Sequence, residues 1–361
     1  MNRRERLRRC YFHQEMDRPA VYSRTGFPAD DPTYDQLKAY LAAHTELKLA
    51  WDGRAWETAY PTEEHVEPFS ADWTRRVTIL HTPAGDLRSS QLVSLKGQPG
   101  LPETYLLNNR DDALAYLSLP FPDLGGDAAG SFQAAERQIG DRGIVDVSLG
   151  FNPAGFVAEL CGSETFALWS IAERALLHAL CERQMQLMLR TVHFLLSQGV
   201  GPYFSLLGEE YIVPPLHGPR DFDDFNLRYD KPILDLIHGA GGRVHIHCHG
   251  CLRRVLPSFV ALGADVLHPF EAPPMGDITP AEAKALARGR LCLEGNLQIS
   301  DMYERTPEEI RQQCEALIAA AFDDHRGLIV SPTASPYIRG AGQDCFEAYR
   351  AMIDAVLSWR G

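Results

Sequence analysis

Three histidines alternate in residues 243–250, which read Arg-Val-His-Ile-His-Cys-His-Gly. The segment follows a glycine-rich helix stop and is closed by a glycine, a pattern that predicts a β-strand. Since successive side chains of a strand point to opposite faces, His245, His247 and His249 would share one face. His247 and His249 would lie about 7 Å apart along the strand, close enough to converge on one ion such as zinc. We interpret both as metal ligands and His247 also as a catalytic residue; the alternative is that they are hydrogen-bonded core residues.

A carboxylate could complete this ligand set, because two histidines and one acid form a known catalytic zinc site with an open position. Glu271 precedes a stiff Ala-Pro-Pro segment at the end of a predicted strand, and it is the predicted third ligand. Glu209 and Glu210 end another strand, and only one of these adjacent side chains can point inward, for which we favour Glu210. Glu210 and Glu271 are both catalytic candidates, with a helix cap or an ion pair as the alternative role.

The elements that would position these side chains form a regular pattern from about residue 130. Strand-like and helix-like segments alternate, which predicts a parallel sheet with right-handed crossovers. Seven or eight such units favour closure into an α/β fold of the (β/α)8 TIM type, in which strand ends surround one mouth. The predicted strands are 20–23, 144–149, 203–207, 243–250, 263–268, 290–296 and 328–332.

Residues 51–95 have a different texture, rich in threonine, aromatic and proline residues, with a turn at 83–86. They predict an antiparallel hairpin insertion near the N-terminus, serving as a lid or as the surface of a homodimer. We expect residues 1–361 to form one barrel domain that carries this insertion.

Composition narrows the class of partner. The net charge of −13 argues against a nucleic-acid partner, which would need a basic stripe, and no apolar run is long enough for a membrane span. The arginine-rich start lacks the apolar run of a signal peptide, and the eight scattered cysteines suit a reducing compartment. We therefore expect a cytoplasmic protein acting on a small molecule.

Several short motifs, in order along the chain, resemble those of the uroporphyrinogen decarboxylase superfamily, which includes zinc-dependent cobamide:thiol methyltransferases. The matching segments are Asp-Arg-Pro at 17–19, Thr-Pro-Ala-Gly at 82–85, Pro-Arg-Asp-Phe at 219–222, His-Cys-His-Gly at 247–250 and Leu-Glu-Gly-Asn-Leu at 293–297. The resemblance implies a TIM-type barrel that is often dimeric.

The resemblance to the methyltransferases implies a zinc site, but this sequence departs from their pattern. His247 matches their first ligand, His249 stands in place of a cysteine, and the later cysteine has no counterpart in 331–335. The leading hypothesis is a zinc-dependent methyltransferase that acts on a corrinoid or a methylated small molecule. A corrinoid would be the co-substrate, and a corrinoid protein a possible partner.

The second hypothesis is a uroporphyrinogen or polycarboxylate decarboxylase, a carboxy-lyase. The decarboxylases resemble one another in an early segment with two carboxylate-binding arginines, of which only Arg24 is present here. We interpret Arg24, Asn296, Tyr337 and Arg339 as substrate-binding residues, although Arg24 could form a structural ion pair and Asn296 could satisfy turn backbone. The third hypothesis is a non-catalytic binder of a tetrapyrrole or of a corrinoid protein.

Overall fold

The computed structural model describes residues 1–287 and 289–360, and two sheets organise them. The strands are β1 (Ala20–Val21), β2 (Leu47–Asp52), β3 (Thr62–Pro68), β4 (Trp73–Thr82), β5 (Gly85–Ser94), β6 (Leu101–Thr104), β7 (Gly143–Phe151), β8 (Tyr203–Leu207), β9 (Arg243–His247), β10 (Val266–His268), β11 (Cys292–Leu297) and β12 (Leu328–Pro332). Eight of them form a parallel sheet in the order β1-β12-β11-β10-β9-β8-β7-β2.

The two end strands of this order meet, which closes the sheet around an axis. The backbone N–H of Glu46, just before β2, donates to the carbonyl of Val21 in β1 at 3.0 Å. The backbone N–H of Val21 in turn donates to Oε2 of Glu46 at 2.7 Å. The predicted TIM-type α/β architecture is therefore confirmed.

Helices follow the barrel strands and cover their outer faces. They are α1 (Arg3–Tyr11), α2 (Asp35–His44), α3 (Arg110–Leu117), α4 (Ala128–Ile139), α5 (Pro153–Cys161), α6 (Ser163–Ala172), α7 (Arg174–Ser197), α8 (Pro219–Asp221), α9 (Arg228–Gly239), α10 (Leu256–Leu262), α11 (Pro280–Ala287), α12 (Asp301–Glu304), α13 (Pro307–Ala321) and α14 (Gly342–Ser358). A π-helical segment, Phe222–Leu227, joins α8 to α9. Within the described ranges, none of the helices combines the length and the apolar character needed to cross a membrane.

The N-terminal insertion is a four-stranded antiparallel sheet in the order β3-β4-β5-β6. Val77, Leu80 and Leu87 are its buried apolar side chains. The insertion is confirmed, but its bounds differ from the predicted 51–95. The first two residues of that range, Trp51 and Asp52, complete barrel strand β2, and the last insertion strand extends to Thr104.

Candidate active site at the barrel mouth

The histidine strand ends earlier than the sequence pattern predicts. β9 stops at His247, and His249 lies in the following loop. His245 and His247 face the barrel axis, where both line a cavity. Between them, Ile246 is fully buried on the opposite face of the strand. The alternation of the strand thus separates apolar packing from polar side chains, as predicted.

The cavity on the barrel axis, which we call the axial cavity, has a volume of about 220 Å³. Its lining is unusually polar, because the inward positions of several strands carry charged or hydroxyl groups. Its polar lining residues are Tyr22, Arg24, Thr25, Lys48, Asp146, Ser148, Ser205, His245, His247, Glu294 and Ser335.

A buried ion pair crosses the deeper part of this cavity. Nζ of Lys48 in β2 bonds Oε2 of Glu294 in β11, and both side chains are almost fully buried. Nε2 of His245 lies 3.4 Å from the same carboxylate oxygen. Burial alone would raise the pKa of Glu294, but Lys48 and His245 offset it and hold that pKa well below the usual value. Glu294 is therefore ionised at neutral pH.

Three cationic or basic groups meet at the upper end of the axial cavity. Arg24 donates from its guanidinium group to Nδ1 of His247 at 2.7 Å. Nδ1 of His268, the last residue of β10, lies 2.9 Å from the same nitrogen. Nε2 of His268 lies 3.1 Å from the carbonyl oxygen of Pro332. Burial lowers the pKa of His247 below its usual range and that of His268 to about 3, so both rings are neutral at pH 7.

These contacts compete for one nitrogen, because a neutral imidazole carries one N–H donor and one acceptor. If Nδ1 of His247 accepts from Arg24, it cannot also donate to His268. If His268 donates from Nε2 to Pro332, its Nδ1 has no proton to offer to His247. Whenever both imidazole rings are neutral, at least one of these three contacts is therefore unfavourable. The pairing is fully satisfied only when Arg24 turns away and the proton of His247 sits on Nδ1.

A second histidine and an acid lie beside this cluster. Nδ1 of His249 lies 3.0 Å from Oε2 of Glu271. The rings of His247 and His249 meet edge to face, with centroids 4.8 Å apart. A carboxylate on Nδ1 holds that proton and leaves Nε2 with its lone pair, as in the second sphere of many zinc sites. Glu271 therefore orients His249 in this arrangement.

The predicted metal ligands are brought together only in part. Across residues 1–287 and 289–360, no group of three or more His, Cys, Asp or Glu side chains is arranged so that it could hold a metal ion. A catalytic zinc needs three protein ligands, and His247 and His249 supply two imidazoles at most. The side chains as placed do not complete a zinc site, and the assignment of His247, His249 and Glu271 as ligands stays a prediction.

The two adjacent glutamates after β8 point to different surroundings. Oε2 of Glu210 accepts from the backbone N–H of Gly208 at 3.1 Å, and His249 and Arg24 lie near it. Burial raises the pKa of Glu210. Glu209 is fully buried, and its carboxylate oxygens have no hydrogen-bond partner within the described residues. Glu210 is therefore the one directed to the mouth.

The predicted substrate-binding residues are dispersed. Arg24 lines the axial cavity, whereas Asn296 borders another cavity, of about 490 Å³, together with Gln298 and residues of α13. Arg339 donates to the carbonyl of Ala29, and the side chain of Tyr337 is exposed. Neither of these two residues is among those that line the axial cavity.

Sequence reasoning missed three residues of this site: Lys48, Asp146 and His268. The sequence carries a signal for two of them, His268 and Asp146. His268 ends β10 in register with His247, so its position follows from aligning two strand ends. Asp146 and Ser148 interrupt an apolar strand at alternate positions, the pattern of polar side chains that face a barrel axis.

One family match and one solved structure agree with this architecture. Residues 151–355 match the uroporphyrinogen decarboxylase (URO-D) family. A methyltransferase from Methanosarcina mazei shares the fold with a TM-score of 0.63 at 14% identity, over 98% of this chain and 98% of that chain. A B12-independent methionine synthase from Shewanella sp. W3-18-1 aligns with a TM-score of 0.47 at 12% identity, over 66% of this chain and 70% of that chain. A search of the curated proteins gave no match. The family match covers more than half of the chain, which therefore belongs to the uroporphyrinogen decarboxylase (URO-D) family.

Proposed function

We propose that this protein is a methyltransferase that uses a zinc ion and acts on a corrinoid or a methylated small molecule. One observation carries the proposal. Glu271 hydrogen-bonds Nδ1 of His249, and the ring of His249 meets that of His247 at the barrel mouth. The resemblance to the cobamide:thiol methyltransferases implies that these histidines occupy the sequence position of zinc ligands. The fold shared with the Methanosarcina mazei methyltransferase is consistent with this class of reaction.

Metal binding at the mouth would require a third ligand in addition to the two imidazoles. Glu271 is the third ligand that the sequence predicts, but here it is engaged with Nδ1 of His249, and Glu210, which lies near His249, is the alternative. A bound zinc ion would lower the pKa of a coordinated thiol, so that the acceptor would react as a thiolate. The chain's own part would be to hold the substrate against Arg24 and to keep bulk water out of the axial cavity.

The size of the axial cavity limits how a corrinoid could take part. Pockets for drug-sized ligands measure about 300–1,000 Å³, and this cavity measures about 220 Å³. A corrinoid would therefore remain outside the barrel and present its methyl group at the mouth. A corrinoid protein docked on the strand ends is the partner that this geometry favours.

The decarboxylase alternative has less support. A substrate with many carboxylates would need several arginines for bidentate pairing, and among residues 1–287 and 289–360 Arg24 is the single arginine that lines the axial cavity. The other cation there, Lys48, is already paired with Glu294. A non-catalytic binding protein would need neither the ordered His249–Glu271 pair nor the charged axial cavity.

The test is methyl transfer by untagged, zinc-supplemented protein from methylcobalamin to a panel of thiols. The methyl group forms a carbon–sulfur bond as the cobalt–carbon bond breaks, and the electron pair stays on the reduced corrinoid, whose absorbance is followed. We expect turnover that falls at least 100-fold in His249→Ala and is unchanged in His65→Ala, a control on the exposed strand β3. Equal rates in both variants, or decarboxylation of uroporphyrinogen instead, would refute the proposal.

A further inference from the structure

We propose that the axial cavity binds a small zwitterion, with its carboxylate on Arg24 and its N–H ammonium group on Asp146. The inference rests on the proposed function, because it takes this cavity as the substrate site, and it narrows the class of substrate. It follows from the charges of the lining, from the depth at which each lies and from the size of the cavity.

The charges of the axial cavity leave one cation and one anion without an ionic partner. Of the residues that the structure describes, four charged side chains line it, and two of them, Lys48 and Glu294, neutralise each other. Within the described ranges, the guanidinium group of Arg24 forms no ion pair and bonds Nδ1 of His247 alone. Oδ1 of Asp146 is buried, and no hydrogen-bond partner lies near it in the described part of the chain. A ligand with one charge of each sign would satisfy both residues.

The two unpaired charges lie at different depths along the barrel axis. Asp146 precedes Ser148 by two residues in β7, and Ser148 is in register with Ser205, which is in register with His245. Arg24 contacts His247, two residues beyond His245. Because barrel strands are tilted and staggered, register partners do not lie at one depth. Asp146 lies near the level of His245, one inward position, or about 6.6 Å along a strand, below His247 and its partner Arg24. A ligand would therefore enter with its ammonium end first.

The surroundings of Asp146 favour an ammonium group that carries N–H bonds. Quaternary ammonium groups are recognised by open aromatic faces. The nearby ring of Tyr22 is already covered by Nζ of Lys48, 4.6 Å from its centroid. A carboxylate pairs best with a charged N–H donor. The small volume of the cavity restricts the ligand to the size of an amino acid or of its N-methyl derivative.

Binding of a carboxylate would also resolve the competition around His247. When the guanidinium group of Arg24 turns to the ligand, Nδ1 of His247 is free to carry a proton and to donate to Nδ1 of His268. His268 then donates from Nε2 to the carbonyl of Pro332, and every contact is satisfied. Nε2 of His247 then becomes the acceptor of the ring. Substrate binding would thus move the proton of His247 to Nδ1 and leave the lone pair on Nε2.

The experiment is calorimetric titration of the zinc-free protein with ω-amino acids from glycine to 6-aminohexanoate and with their N-methyl derivatives. Each is matched by the carboxylic acid without the amine and by the amine without the acid. We expect at least one zwitterion to bind 10-fold or more tighter than both of its single-charge analogues. In Asp146→Asn the zwitterion should bind no more tightly than the carboxylic acid without the amine. In Arg24→Met it should bind no more tightly than the amine without the acid. Asp141→Asn, an exposed control, should leave both unchanged.

Failure of every zwitterion to show this advantage would overturn the inference, and so would an advantage that survives Asp146→Asn. The titration of the unmodified protein decides the matter even if a variant does not fold. The outcome is separable from the proposed function. Zwitterion binding without methyl transfer would refute the proposed function but not this inference. Methyl transfer to uncharged substrates, with no preference for zwitterions, would refute this inference but not the proposed function.

Discussion

The guanidinium group of Arg24 lies 2.7 Å from Nδ1 of His247 and occupies the nitrogen that His268 also approaches. Arginine is always protonated, so it can only donate in this contact. The contact therefore places the proton of neutral His247 on Nε2. Any group that draws Arg24 away changes which nitrogen of His247 is the acceptor.

Replacing Arg24 with methionine tests this relationship. In Arg24→Met we expect the proton of His247 to move from Nε2 to Nδ1, because donation to His268 becomes the favourable contact. The pKa of His247 should also rise, since the Arg24 charge contributes to its depression. Nitrogen chemical shifts of the imidazole report both changes, and catalytic efficiency should fall about 10- to 100-fold. Arg137→Met, at an exposed position in α4, is the control, and an unchanged tautomer would contradict the assignment.

The buried histidines predict a loss of stability in mild acid. Burial lowers the pKa of His247, so the unfolded chain, with its ordinary value near 6.5, binds the proton first. This contribution to stability is complete above pH 6.5 and declines as the pH falls below it. In His247→Gln the slope of unfolding free energy between pH 6.5 and pH 5 should be smaller by up to about 1.4 kcal/mol per pH unit. Denaturant titrations measure it, and an identical slope would mean that His247 is not buried in its neutral form.

Glu209 predicts the opposite dependence on pH. Burial raises its pKa well above the usual value, so the unfolded chain loses the proton first and stability declines as the pH rises above about 4.5. Glu209→Gln should reduce the decline between pH 5 and pH 8, by up to about 1.4 kcal/mol per pH unit. Glu164→Gln, at an exposed position in α6, is the control. A steeper decline in Glu209→Gln would exclude a buried, protonated Glu209.

The buried pair of Lys48 and Glu294 predicts a non-additive response to mutation. Removing one partner leaves a buried charge, so Lys48→Met should cost about 3–5 kcal/mol of unfolding free energy. Adding Glu294→Gln to that variant removes the orphaned charge and should restore most of the loss. Chemical denaturation of the two single variants and the double variant measures the coupling. Additive losses would show that the two side chains do not interact.

The alternation of the later strands and helices was enough to predict the barrel, because each apolar strand carries its pattern in consecutive residues. β2 was missed for a physical reason. Lys48 and Asp52 look like surface residues in the sequence, yet Lys48 is buried against Glu294 from a strand almost 250 positions away. Pro232 lies inside α9, which continues through that residue after the preceding π-helical segment.

The candidate site was predictable to the extent that it depends on one strand. His247 and His249 follow from residues 243–250 alone, and Glu271 follows from the end of the next unit. The role of Asp146 depends on a balance of charge that arises only when β2, β7 and β11 close around one cavity. No local pattern in the sequence contains that information, whereas His268 could have been found from the register of β9 and β10.

The central claim is tested most directly by zinc titration of untagged protein against a chromophoric chelator. We expect one zinc ion per chain, with affinity reduced at least 100-fold in His247→Ala and His249→Ala. Glu271→Gln should weaken binding about 10- to 100-fold, as does loss of a partner that orients a ligand, while His65→Ala binds normally. Zinc binding that is absent from the unmodified protein, or equal in all four variants, would contradict a metal-dependent reaction at the barrel mouth.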